Sequence, residues 1–200
     1  MPTAVTELPP RADPRRKVWT RAEVDALSST GLFDQLELVE GELINTMGKL
    51  PPHVLSLVLL QNWLIGIFGG LFICPESPID VAPEDNPTNA PEPDLIVLKQ
   101  EISHFTEAHP GPQDLRLLIE VSDSTLSFDL RTKATLYARA GIVEYWVLDI
   151  AGRRMFVHRD PRGGRYTSVV AYNGEESVAP LCAPESPLRV KDAFPGSPVD

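Results

Sequence analysis

Two acids and a lysine stand where charge is costly. Asp94 opens the run DLIVL, and Glu120 lies inside the run from Leu115 to Val121. Both runs are almost continuously apolar, the pattern of strands covered on both faces. A carboxylate in such a strand needs a partner, a metal or a shifted pKa. Lys133 falls within the helical stripe Leu126, Leu130, Tyr137 and Ala140. An ammonium on that core-facing side must snorkel out or meet a carboxylate, and Glu120 is the nearest candidate. If the two strands are neighbours, Asp94 and Glu120 converge at one edge of a sheet. Such a pair, with open water positions, suits Mg²⁺ or Mn²⁺, which demand hard oxygen ligands. An ion there would polarise a phosphoryl oxygen and acidify a bound water, with Lys133 beside that water or the developing phosphorane. Glu40, at the tip of an early turn, is placed to add a ligand or to orient the first helix layer.

Each residue has a plainer alternative. Asp94 after Pro93 can simply cap a strand start. Glu120 and Lys133 can be a structural ion pair. Glu40 taken alone reads as a solvated turn residue, and His53 as a packed or capping histidine. What points to chemistry is the joint arrangement: an acid on one strand, an acid on a second, and a lysine on the inner face of the next helix.

The elements that must position these groups follow from periodicity. Leu115 to Val121, a helix from about Leu126 to Ala140 stopped at Gly141, and a strand from Glu144 to Asp149 form a strand–helix–strand unit. A unit of this length makes a parallel pair with a right-handed crossover. Upstream, Thr20 and Glu23 form a capping box for a helix to about Ser28. QLELVEGELINTM reads as two short strands around Glu40-Gly41. A helix is predicted from about Pro52 to Ile67, a strand from Leu71, and a short strand near Ile79 to Val81. Asp94 to Leu98 is a further strand, and Gln100 to Gln113 a polar loop. Arg153 to His158 and Tyr166 to Ala171 read as a hairpin around Gly163-Gly164, with a docking segment at Leu188 to Phe194. The architecture expected is α/β: a mixed central β-sheet flanked by α-helices. Residues 1–17 and 195–200 read as tails around one domain, 18–194.

The chain has 200 residues and a formal net charge of -10, which opposes a nucleic-acid coat but not a local basic groove or an acidic cation site. Two basic groups qualify for local contact: Arg11, Arg15, Arg16, Lys17 and Arg21 near the start, and Arg153, Arg154, His158, Arg159, Arg162 and Arg165 around the late hairpin. A solvated tail and hairpin is the simpler reading of both. Cys74 and Cys182 lack metal-ligand spacing and read as free thiols. No secretory signal is read between Met1 and Lys17, so a cytoplasmic location is expected. Val54 to Cys74 carries no charge and is long enough to cross a bilayer. Gln61, Asn62, Gly66, Gly69 and Gly70 interrupt it, so a buried helix and no membrane are expected.

Four pieces of the chain carry a family resemblance: ELVEGELI at Glu37 to Ile44, His53 after the double proline, PEPDLIVL at Pro91 to Leu98, and the long block from Leu117 to Asp149. The chain resembles the Uma-two family, bacterial proteins catalogued as a domain of unknown function and regarded as endonucleases. That family is placed in the PD-(D/E)xK nuclease superfamily. The resemblance spans about Trp19 to Phe194 and implies a restriction-endonuclease-like core. It implies that Asp94 is the motif aspartate and Glu120 the second acid, both holding Mg²⁺ or Mn²⁺, with Glu40 as an additional acid. The superfamily lysine stands two residues after the second acid, where this chain has Ser122. Lys133 matches a lysine relocated to the following helix. The activity expected is metal-dependent hydrolysis of DNA phosphodiester bonds. DNA is the partner implied, and a homodimer stays open. The alternative is a catalytically silent copy of the fold acting as an interaction or regulatory module.

Overall fold

The computed structural model describes residues 16–28, 31, 36–45 and 50–196. Helix α1 (Arg21–Ser28) precedes a hairpin of β1 (Leu36–Val39) and β2 (Glu42–Asn45). Helix α2 (Pro51–Phe68) leads to β3 (Ile73–Pro75), β4 (Leu95–Leu98) and β5 (Leu115–Ser122). A helical segment follows in three parts: α3 (Leu126–Phe128), a π segment over Asp129–Lys133, and α4 (Ala134–Arg139). Then come β6 (Glu144–Asp149), β7 (Arg154–Arg162), β8 (Arg165–Asn173) and the short pair β9 (Ser177–Val178) and β10 (Leu188–Arg189). The central sheet is six-stranded in the order β3-β4-β5-β6-β7-β8. Only β5 and β6 are parallel.

Both faces of the sheet are covered, which is why β4, β5 and β6 are apolar at nearly every position. Leu117, Ile119 and Val121 of β5 turn towards Leu57, Leu60 and Leu64 of α2. On the other face Leu118 shares a cluster with Leu136 and Tyr137 of α4. Trp63 of α2 stacks on Trp146 of β6 with ring centroids 6.1 Å apart. The crossover helix ends at Gly141, φ +78°, where Gly141 N–H donates to Ala138 O and Ile142 N–H to Tyr137 O. Those are the two bonds of a Schellman stop.

The early hairpin turns at Glu40 (φ 51°) and Gly41 (φ 72°), a two-residue turn with both central residues left-handed, which matches the strand twist. The capping box forms as expected: Thr20 N–H donates to Glu23 Oε2 at 3.0 Å, and Glu23 N–H to Thr20 Oγ1 at 3.4 Å. The late hairpin and the docking segment at Leu188 to Phe194 are also in place.

Three expectations change. No strand forms at Ile79 to Val81. Both residues are buried, but as loop anchors: Ile79 N–H donates to Pro91 O and Asp80 N–H to Pro110 O. The strand expected from Leu71 starts at Ile73, after a 3₁₀ turn over Gly70–Phe72. Helix α2 is buried on one face only. Val54, Leu55, Val58, Leu59 and Ile65 are exposed, because a helix apolar all round carries no signal of which side meets the sheet. Among the described residues α2 is the one helix long and apolar enough to cross a bilayer.

His158 of β7 lies between Tyr145 and Tyr166, its ring centroid 5.2 and 5.5 Å from theirs. Burial holds its pKa down to about 4. Unfolded, the imidazole titrates near about 6.5. Between those values the unfolded chain binds more protons, so stability rises with pH. The contribution of His158 is complete above about pH 6.5 and is lost as pH falls towards 4, by at most about 3 kcal/mol. Urea unfolding from pH 4 to 7 should give a flatter profile for His158→Phe than for the wild type. An unchanged slope would assign the acid sensitivity to other groups.

Candidate active site

The strand register brings the two acids together. Leu95 pairs with Ile119 in the antiparallel β4–β5 ladder, so one step further along puts Asp94 across from Glu120. Residues directly opposite one another project to the same side, with Cβ atoms about 4.5–5.5 Å apart. Asp94 Oδ2 accepts a hydrogen bond from Val121 N–H at 2.8 Å, which fixes the carboxylate against β5. Its Oδ1 lies 3.3 Å from Nε2 of His53, in the first turn of α2. The pair is close but lacks hydrogen-bond alignment, and His53 Nε2 is buried without a hydrogen-bond partner.

Lys133 comes down from the helix onto the same spot. Its Nζ donates to Glu120 Oε1 at 2.8 Å and lies 2.9 Å from Glu37 Oε1. Tyr137, one turn on, donates its hydroxyl to Glu120 Oε1 at 3.0 Å. The helix is not regular here. The π segment Asp129–Lys133 closes with Ala134 N–H donating to Asp129 O, five residues back, and both its end residues are buried. Asp129 Oδ2 accepts from Thr125 Oγ1 at 2.6 Å. Ser122, which stands where the superfamily pattern has lysine, is fully buried two residues beyond Glu120. Its hydroxyl hydrogen-bonds the Asp129 carboxylate.

Glu37, His53, Asp94, Glu120, Asp129 and Lys133 line one cleft of about 150 Å³, together with Asn45, Leu50, Asp123, Ser124 and Phe128. Four buried carboxylates, Glu37, Asp94, Glu120 and Asp129, face a single ammonium. Burial pushes the Glu120 carboxyl well up, Lys133 pulls it back, and Asp94, Asp129 and Glu37 push it further. Asp129 is raised for the same first reason, burial. For Lys133 burial works downward, but Glu120, Glu37 and Asp129 outweigh it and the pKa rises, so the side chain keeps its proton. Burial also raises Tyr137, which stays a hydroxyl donor.

The cluster sets four acids against one ammonium in a dry setting, and a cation there would favour the ionised carboxylates. Among the described residues no group of three or more His, Cys, Asp and Glu is arranged to hold a metal ion. The donors fit a different pattern. Two carboxylates from neighbouring strands, beside a cleft with room for several waters, suit an ion such as Mg²⁺ that keeps much of its water.

Glu40 is not part of this cleft. Its left-handed turn position points the carboxylate away, to Arg139 Nη2 at 2.5 Å. The hairpin acid that reaches the cleft is Glu37, three residues earlier, which also accepts from Glu92 N–H at 3.0 Å. Sequence reading missed Glu37 and Asp129. For Glu37 the available signal was an acid inside a short apolar strand. For Asp129 it was the four-residue spacing to Lys133. The basic groups near both hairpins are largely engaged: Arg21 with Asp80, Arg154 with Asp149, Arg159 with Glu144, and Arg153 over the Phe194 ring. Arg11 and Arg15 lie outside the described residues.

A mixed six-stranded sheet between helices, with paired acids at the mouth of its central strands, defines a nuclease-like α/β fold. The crystal structure of a "putative nuclease belonging to DUF820" from Anabaena variabilis ATCC 29413 shares it, with a TM-score of 0.61 at 16% identity over 80% of this chain and 89% of that one. Residues 27–191 match the model of the Uma2 family, described as "Putative restriction endonuclease". The chain belongs to the Uma2 family. No curated protein matches it.

Proposed function

We propose that this chain is a divalent-metal-dependent endonuclease of the PD-(D/E)xK type that hydrolyses DNA phosphodiester bonds. The observation that carries this reading is the convergence of Asp94, Glu120 and Lys133 on one cleft, in a chain of the family described as "Putative restriction endonuclease". Asp94 and Glu120 are the residues that would hold Mg²⁺ or Mn²⁺. When bound, such an ion supplies Lewis-acid polarisation of a phosphoryl oxygen and a more acidic water.

The chain's own groups do the rest. Val121 N–H fixes the Asp94 rotamer, and Tyr137 O–H fixes that of Glu120. Lys133 holds a proton and a full positive charge at the cleft, where negative charge accumulates on the phosphoryl oxygens. Glu37 braces the ammonium from the hairpin side. On the far side of the π segment, Arg131 and Arg165 line a second hollow with His158 and Tyr166. Their charge supplies the local attraction for a phosphate backbone that an acidic chain otherwise lacks.

A second reading has one observation in its favour: Lys133 is fully engaged by Glu120 and Glu37, as a purely structural lysine would be. In that reading the fold serves as a non-catalytic interaction module. Incubation with supercoiled plasmid separates the two. Nicking or linearisation is expected with Mg²⁺ or Mn²⁺, none with EDTA, and none from Glu120→Ala with either ion. If the folded wild-type protein leaves plasmid and linear DNA intact with both ions, the nuclease reading falls.

A further inference from the structure

The hollow on the far side of the π segment is built differently from the cleft. It encloses about 410 Å³, against about 150 Å³ for the cleft. Small-ligand pockets run from roughly 300 to 1,000 Å³, so the hollow has room for a nucleoside and the cleft does not. Its walls are largely apolar, with Leu130 from the π segment and Phe156, Tyr166 and Val169 from β7 and β8. Val169 is 52% exposed and Phe156 half-buried, so aliphatic and aromatic surface faces the opening. His158 adds no charge at neutral pH, because burial holds its pKa down to about 4. The hydroxyls of Thr135 and Tyr166 are spent within the fold, on Arg131 O and Ile142 O.

The rim is cationic. Arg131 and Arg165 are exposed, and among the described residues neither guanidinium has an ion-pair or hydrogen-bond partner. Neighbouring arginines do: Arg139 pairs with Glu40 and Asp85, Arg154 with Asp149, and Arg159 with Glu144. On a chain of net charge -10, two guanidiniums left over one hollow favour an anion. The π segment also joins this hollow to the cleft. Asp129 and Lys133 at its ends line the cleft, while Leu130 and Arg131 between them line the hollow.

We infer that the hollow receives one unpaired base of a single DNA strand, with its flanking phosphates on Arg131 and Arg165. This rests on the reading of the cleft as the place of a DNA phosphate, and it names the form of the substrate as single-stranded or locally unpaired. A base in a duplex has both faces covered by its neighbours. Only an unstacked base can lay a face on apolar and aromatic walls, while its phosphates stay outside on the cations.

Fluorescence anisotropy in EDTA tests this without cleavage. The probes are a short fluorescein-labelled oligodeoxythymidylate, an abasic strand of the same length, and a blunt duplex of that length. The abasic strand keeps the phosphates and lacks the bases. The thymidylate should bind on the order of tenfold more tightly than the abasic strand, and more tightly than the duplex. Arg131→Ala with Arg165→Ala should weaken thymidylate binding on the order of tenfold or more. It should also lower the slope of log affinity against log salt by about 1.4, with the circular dichroism spectrum unchanged. Equal affinity for thymidylate and abasic strands overturns the inference. So does tighter binding of duplex, undiminished binding by the double variant, or no binding to any probe. These results stand apart from cleavage, since no metal is present. A chain that binds as expected yet never nicks plasmid keeps the strand site and loses the nuclease reading. One that nicks plasmid yet binds thymidylate and abasic strands equally keeps the nuclease reading and loses the strand site.

Discussion

Lys133→Met is expected to abolish most cleavage, on the order of a hundredfold or more, while divalent-ion binding stays intact or tightens. The substitution keeps the stem in its buried slot and removes only the charge. In the proposed reading that charge acts where the phosphoryl group becomes more negative, so the loss falls mainly on kcat. Ion binding has no reason to weaken. The ammonium sits 2.8 Å from Glu120 Oε1, and without it the cleft holds the same carboxylates with no competing cation. Calorimetric titration with Mn²⁺ beside plasmid nicking measures both quantities.

Lys133 also ties the early hairpin to β5 through Glu37 at 2.9 Å, and a strut would lower activity by loosening that contact. Glu37→Gln separates the roles. It weakens the tie and keeps the ammonium on Glu120, so it should lower the melting temperature but spare most of kcat. If Lys133→Met nicks plasmid as fast as the wild type, the lysine is a structural partner of Glu120 and the catalytic assignment is wrong.

Glu144→Ala should cost stability on the order of 3–5 kcal/mol, the largest expected effect outside the cleft. Glu144 is fully buried at the start of β6. Its Oε1 accepts from Arg159 at 2.6 and 2.8 Å and from Trp146 Nε1 at 2.9 Å, and its Oε2 accepts from Leu181 N–H at 2.8 Å. Arg159 in turn donates to Ala179 O at 2.6 Å. One carboxylate thus fastens the segment around Ala179 to Leu181 onto the sheet. Removing it strands a half-buried guanidinium and two N–H donors. For a chain of this size the loss corresponds to a fall in melting temperature of roughly 6–20 °C. Because the two side chains share the interaction, Glu144→Ala with Arg159→Ala should cost less than the sum of the single changes. Urea unfolding of the four proteins gives the coupling. A single-mutant loss below about 1 kcal/mol would mean that the network is solvated and weak.

The amino-acid sequence by itself determined the strand–helix–strand unit, and with it the level of Glu120 and Lys133. An apolar run from Leu115, a helical stripe closed by glycine, and a second apolar run leave little choice of local structure. It also determined both hairpins, because Glu40-Gly41 and Gly163-Gly164 each supply two left-handed positions in a row. Family membership was legible through matching stretches, the longest being the block from Leu117 to Asp149 that carries Glu120 and Lys133.

Tertiary structure alone decided which acid of the hairpin reaches the cleft. Glu37 and Glu40 are both acids near the same turn. The pleat of β1 and the twist at Glu40 send one towards Lys133 and the other towards Arg139, on the next turn and a half of helix. Only the structure also shows that the helix relaxes into a π segment, which brings Asp129 into the cluster with Lys133. Local periodicity carries no record of either choice, because both depend on what packs against the element from a distant part of the chain. The same holds for α2. Its composition is apolar on every side, so the sequence could state that it must be covered but not which face the sheet would cover and which it would leave exposed.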